Sequence, residues 1–319
     1  MPKQTATELP SNVWIFQGNP DVFDLDAYLA EGSGRLTWEV NQNADRINDG
    51  DTVYLWRAVS RAVRARANAL ADKPFSRAAR QARLAARPAI VAVARVVGSA
   101  FDGPDDSDAV QFRHDLALPE TRRRVWLDIL ANANGREAIR REWLASDPLC
   151  NSLPILDRCG DTNIPVTTAQ AERLDALWEN SGRPMTRKDL LAILSCYCRV
   201  RAIESRSSGK ALRESAGTTR AAGKASAGPD RQSRLEIDQA IADTAVLVGR
   251  AIGGVKLAIA KFRALDPAYP GNGLSGATSV FHDVINQYLD SSRGCLDDAA
   301  VERDFANIWL GRSDSGLLL

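Results

Sequence analysis

Residues 37–56, TWEVNQNADRINDGDTVYLW, carry one indole near their start, Trp38, and another at their end, Trp56. Asn41 and Asn43 lie between them. A flat, polarisable ring is a good face for a nucleobase, and such stacking is worth about 1–3 kcal/mol per base by truncation. A neutral amide beside it can donate and accept, so it can read the polar edge of a base taken out of its helix. The bland alternative is that both indoles fill a core and that the asparagines stabilise turns. Trp14, which starts an apolar run, is read as core.

Cationic chemistry is concentrated elsewhere. Residues 57–87 hold eight Arg and one Lys against a single acid, Asp72. Arg57, Arg61, Arg64, Arg66, Arg77, Arg80 and Arg83 are candidate phosphate contacts, since a guanidinium grips phosphate through two parallel bonds. A merely soluble surface would interleave acids, and this one does not. In the second half, 241–265 have the length and Gly-marked break of a helix-turn-helix, whose second helix lies in the major groove. Arg250 would mark the turn, and Lys256, Lys261 and Arg263 would face the duplex, while Val255, Ile259 and Phe262 belong to core.

Catalysis finds little support. The two histidines, His114 and His282, have no nuclease-like partners, and no Walker A, Gly-x-Ser-x-Gly or His-Glu-x-x-His motif occurs. The acidic run 105–108 follows Gly103-Pro104 and reads as a solvated loop. Five cysteines without a Cys-x-x-Cys pair argue against a zinc site and for reduced thiols. No catalytic residue, metal or cofactor is therefore assigned. With 41 Lys+Arg against 40 Asp+Glu, global charge names no partner. A start without a signal-peptide run, and the lack of an apolar stretch of about 20 residues, point to a cytoplasmic protein with no membrane partner.

The elements that must hold these groups follow from composition. At 319 residues the chain is long enough for two modest domains. Strands are expected at 13–16, within TWEV and TVYLW, at 89–101 and at 109–118. Asp24 is a plausible cap for a following helix, and Asn48-Asp49-Gly50-Asp51 suits a tight turn. Helical periodicity is read in ETRRRVWLDILAN and GREAIRREWLA, and Thr167 or Thr168 should cap a helix after the DTNIPV segment. Residues 205–234, rich in Ser, Gly, Ala and basic residues, read as a flexible basic linker.

Four segments in order, WIFQGNPDVFDLDAYL, WEVNQNADRINDGDTVYLW, AIVAVARVV and GDTNIPVTTAQAERLDALW, resemble the EVE domain. That domain belongs to the PUA-like superfamily and is related to the YTH readers of methylated RNA. The resemblance covers about half the chain. It implies an α+β protein whose PUA-like twisted β-barrel is surrounded by helices, with a pocket for a flipped modified base, often a modified cytosine in DNA. It places Trp38 where related readers keep a cage aromatic, and Gln17 and Asn19 at the rim where family members approach the base. Trp56, ending the next strand, is the candidate opposing wall, and Asn43, Thr162 and Asn163 are further rim candidates; Asn19 and Asn163 could equally serve their turns. The Arg-rich insert departs from the pattern, because relatives join those strands by a shorter loop. The second half, through LLAILSCYCRV, IADTAVLVGRAIGGVKLAIAKFRALDP and GLSGATSVFHDVINQYL, is similar to a helical domain found N-terminal to HNH endonucleases. No HNH nuclease is read within these 319 residues, so none is expected to act in cis.

The sequence thus leads us to expect an EVE-like domain over 10–178 with an insert at 57–88. A mostly α-helical, DNA-contacting domain follows over 179–319, with the 205–234 linker. The function expected is a non-catalytic reader of a modified base, 5-methylcytosine or a relative, in duplex DNA. It would serve phage defence or modification-dependent restriction, with any cleavage supplied by a nuclease partner in trans. The alternatives are an RNA-binding module reading a modified or unpaired base, and a cryptic nuclease.

Overall fold

Apolar and β-branched runs divide the first part of the chain into strands, and the polar turns between them fold it into a sheet. The computed structural model describes residues 10–31, 34–69, 86–114, 121–134, 137–157, 160, 162–215, 230–271, 273–290 and 292–311, with backbone alone at 10, 11, 61, 66 and 208–215. Two units are present, Met1–Arg183 and Pro184–Leu319.

The first unit runs β1 (Pro10–Gly18), α1 (Leu25–Glu31), β2 (Arg35–Glu39), β3 (Thr52–Arg57), α2 (Arg61–Ala69) and β4 (Ala89–Gly103). It continues with α3 (Ser107–Val110), β5 (Arg122–Asn132), β6 (Ile139–Arg140), α4 (Arg141–Ser146), β7 (Asn163–Thr167) and α5 (Thr168–Asn180). The strands form one mixed seven-stranded sheet in the order β2-β5-β4-β3-β1-β7, with β6 on β4. Among the described residues only β1 and β3 run parallel, pairing Trp14 with Val53 and Gln17 with Trp56. Among the described residues no ladder joins β2 to β7, so the expected closed barrel is an open sheet here. Side chains bridge the gap. Asn43 Nδ2 donates to the Asn163 carbonyl at 3.0 Å, and the Thr162 N–H donates to Gln42 Oε1 at 3.3 Å.

Alternation decides which side chains meet. Trp14, Phe16, Trp38, Val53, Leu55, Val125 and Leu127 share one apolar cluster with Leu25 and Tyr28. Tyr54, on the other face of β3, donates to Asp175 of α5 and lies edge-on to Trp178. The turn before β3 is fixed by Asp51, whose carboxylate accepts from the Asn48 N–H and from Trp14 Nε1 at 2.8 Å. Gly50 supplies the positive φ (85°) that this turn needs. Asp24 caps α1 through the Ala27 N–H, and Thr167 with Gln170 forms a capping box on α5.

Two expectations need correction. ETRRRVWLDILAN is not helical: 122–132 is strand β5, flanked by β2 and β4. Its pattern is alternation, with Val125 and Leu127 buried inward while Arg124, Trp126 and Asp128 take the other face. The strand expected at 109–118 gives way to the short helix α3 and an isolated bridge, Phe23 to Arg113; 115–118 lie outside the described residues.

The second unit contains α6 (Arg187–Ser215), α7 (Arg231–Leu247), α8 (Ile252–Leu265), α9 (Ser279–Asn286), a short β8–β9 hairpin (Leu289–Asp290, Cys295–Leu296) and α10 (Asp298–Trp309). Residues 190–198 of α6 are buried on every side, as expected of a helix that its neighbours surround. The linker expected over 205–234 is helical at both ends, to Ser215 and from Arg231; 216–229 lie outside the described residues. No described helix is long and apolar enough to cross a membrane.

Candidate functional site

A cavity of about 260 Å³ lies along β2, an edge of the open sheet. The end of β1 (Gln17, Gly18) and the following Asn19 line it with residues 36–39 of β2, Asn41, Asp105, Arg113, the start of β5 (Arg122, Arg124) and Thr162. It therefore sits where β2 and the β1–β7 side of the sheet fail to pair.

Trp38 supplies the aromatic wall. Its residue is only 7% exposed, and its ring packs 6.3 Å from Phe16, so the indole is held rather than mobile. Gly18 leaves room for the indole edge, since a Cβ there would lie 3.2 Å from Trp38 Cη2, a tight contact. Because β2 is an edge strand, residues from both of its faces line the cavity, and the face opposite Trp38 contributes a charged cluster. Thr37 Oγ1 donates to Asp105 at 2.6 Å, and Arg124 donates to the same oxygen at 3.0 Å. Arg113 pairs with the second Asp105 oxygen. One carboxylate is thus shared by two guanidinium groups. Arg124 is 2% exposed, and burial pulls its guanidinium below the ordinary arginine value while Asp105 pushes the other way. Arg122 donates to Glu39 at 2.5 Å, a diagonal pair, because Glu39 lies opposite Arg124 in the β2–β5 ladder.

Of the residues singled out in the sequence, Trp38, Gln17, Asn19, Asn41 and Thr162 come together around this cavity. Trp56 does not. It is 3% exposed in the sheet interior, on the central strand β3, and does not line the cavity. The slot between two indoles is therefore replaced by a cavity with one. Asn43 and the Asn163 oxygens are spent on structure, while Asn163 Nδ2 is buried without a hydrogen-bond partner among the described residues. Asn43 takes a left-handed conformation (φ 59°) and binds the Asn163 carbonyl, and the fully buried Asn163 side chain accepts from Thr162.

The cations divide likewise. Arg57 pairs with Asp26 at 3.0 Å and donates to the Arg87 carbonyl. Arg61, Arg64 and Arg66 lie on α2, with Arg64 exposed. Arg77, Arg80 and Arg83 lie outside the described residues. Arg250 is not a surface contact: it is 8% exposed and donates to the Pro184 carbonyl at 2.8 Å and to Asp189 at 3.2 Å. Lys256 pairs with exposed Asp238, Arg263 pairs with Glu204 beside the Tyr269 ring, and Lys261 lies 5.0 Å from the Phe281 ring. Among the described residues no group of three or more His, Cys, Asp or Glu side chains could hold a metal ion.

Sequence reasoning missed Glu39, Asp105, Arg113, Arg122 and Arg124 as cavity residues. The available signal was the triplet Arg122-Arg123-Arg124 opening an otherwise alternating strand.

No protein-family model matches the chain. No curated protein matches it either. Among solved structures, a hypothetical protein from Leishmania major is 15% identical over 51% of this chain and 90% of its own, with a TM-score of 0.33. A protein from Pseudomonas putida is 17% identical over 51% of this chain and 97% of its own, with a TM-score of 0.32.

Proposed function

We propose that the chain is a non-catalytic reader of nucleic acid that draws a modified base, a modified cytosine in duplex DNA, out of the helix and into the cavity beside Trp38. On this reading the open sheet is a PUA-like scaffold of the EVE type. The Arg-rich stretch 57–87 and the helical unit engage the duplex, and any cleavage comes from a nuclease acting in trans, in defence against foreign DNA.

The observation that carries the reading is the cavity itself. An indole fixed by Phe16 and admitted by Gly18 lies on the same opening as the amides of Gln17 and Asn19 and the hydroxyl of Thr162. Stacking supplies affinity for any base, and polar groups choose among them. A methyl group adds only about 1–3 kcal/mol through apolar contact.

Fluorescence anisotropy with matched 5-methyl-, 5-hydroxymethyl- and unmodified duplexes tests it. A modified duplex should bind more tightly than the unmodified one, and Trp38→Ala should cost about 1–3 kcal/mol of that binding. Equal affinity for all three, indifferent to Trp38→Ala, would defeat the reading. A preference for single-stranded RNA would move the substrate to RNA.

A further inference from the structure

The Glu39–Arg122 pair lines the same cavity as Trp38, from the opposite face of β2, and is half-buried, each side chain being 23% exposed. The contact uses one oxygen of Glu39 and one nitrogen of Arg122. Glu39 Oε1 has no hydrogen-bond partner among the described residues, and a guanidinium carries further N–H groups beyond the one it gives to Glu39. The cavity wall therefore presents an acceptor and donors side by side, held together by their own ion pair. Asp105 differs: Thr37, Arg113 and Arg124 already occupy both of its oxygens.

We infer that the Glu39–Arg122 pair determines which base is accepted, by offering the acceptor-then-donor order of a guanine edge to a base with an exocyclic amino group next to a ring acceptor. This inference rests on the base-pocket reading and deepens it. Cytosine meets Glu39 with its 4-amino N–H and Arg122 with N3, and its carbonyl O2 adds a second acceptor. Thymine, uracil and guanine present a carbonyl oxygen where the amino group should be, so two acceptors would face one another at Glu39. Carboxylates reading the cytosine amino group are an established mode of base recognition. The penalty is sharpened here because a half-buried carboxylate without its donor is left unsatisfied. The pair discriminates the ring edge and is indifferent to the 5-substituent.

The test compares two duplexes that differ only at that edge: 5-methylcytosine opposite guanine, and thymine opposite guanine. Both carry the methyl group, and the thymine mispair leaves the helix more easily, so flipping cost favours thymine. The intact chain should nevertheless bind the 5-methylcytosine duplex at least about tenfold more tightly. Glu39→Gln, whose amide can turn its N–H2 toward a carbonyl, should bring the ratio close to one. Tryptophan fluorescence would confirm that this variant is folded, and if it is not, the ratio for the unsubstituted chain decides alone. Thymine binding as well as 5-methylcytosine, or a folded Glu39→Gln with an unchanged ratio, would overturn the inference. It would do so while leaving the pocket reading intact if Trp38→Ala still weakens both duplexes. Loss of Trp38 dependence as well would remove the pocket reading and the inference with it.

Discussion

Removing the Asp105 carboxylate should cost more than removing any surface acid of the first unit, and the structure gives the reason. Asp105 accepts from Thr37 Oγ1, Arg124 and Arg113, and its side chain is 12% exposed. Without it, Arg124, at 2% exposed, keeps the Gly103 carbonyl at 3.3 Å. Breaking a buried pair by deleting one partner leaves an uncompensated charge, at a cost of about 3–5 kcal/mol. Asp105→Ala should show that full loss. Asp105→Asn keeps an acceptor for Thr37 and should fall between Asp105→Ala and the unsubstituted chain. Asp102→Ala is the control: its pair with Arg123 spans 3.3 Å with side chains 65% and 41% exposed, so its loss should stay within about 1 kcal/mol. Urea unfolding followed by tryptophan fluorescence reads this unit, because six of the seven tryptophans lie at or before Trp178. Asp105→Ala as mild as Asp102→Ala would refute the shared-carboxylate reasoning and with it the rigidity of the cavity's charged wall.

Arg250→Ala should destabilise the helical unit by about 3–5 kcal/mol in thermal melts, because it strips Asp189 of a buried partner. Protein that remains folded should bind duplex unchanged, and loss of binding with an intact melt would restore Arg250 to a contact role. Stability should also fall as the solution becomes alkaline. Burial pushes the Cys150 thiol up to about 12 from 9.0, and it raises Cys196 and Cys198 in the same direction. The unfolded chain then releases protons above pH ~9 that the folded chain retains, so each rise in pH from there toward the folded values favours unfolding. Melting temperatures that stay flat across that window would contradict it. Duplex affinity should fall steeply with salt, each neutralised phosphate adding about 0.9 to the log–log slope. A flat profile would take the basic stretch off the DNA backbone.

Local signals carried the sheet where they were unambiguous. Val and aromatic runs gave β1, β3 and β4, the Asn-Asp-Gly turn preceded β3, and Thr167 capped α5 as its spacing with Gln170 requires. Strand β5 misled because Trp126, Ile129 and Leu130 also satisfy helical spacing, and only its neighbours on both sides settle the alternation. The cavity was half legible. Trp38 and the Gln17–Asn19 turn could be picked out as groups able to meet a base. Trp56 looked equivalent to Trp38 by type, but it continues a run, Val53–Trp56, buried on both faces, which marks a central strand. The charged wall was hidden by distance along the chain. Thr37 and Asp105 are 68 residues apart, and Asp105 reads as solvated until β5 brings Arg124 to it.

The most direct measurement is the structure of the chain bound to a duplex with one 5-methylcytosine. The account requires that base outside the helix, in the cavity against Trp38, with its amino group toward Glu39. A modified base still paired within the duplex, with the protein bound elsewhere along the DNA, would contradict it.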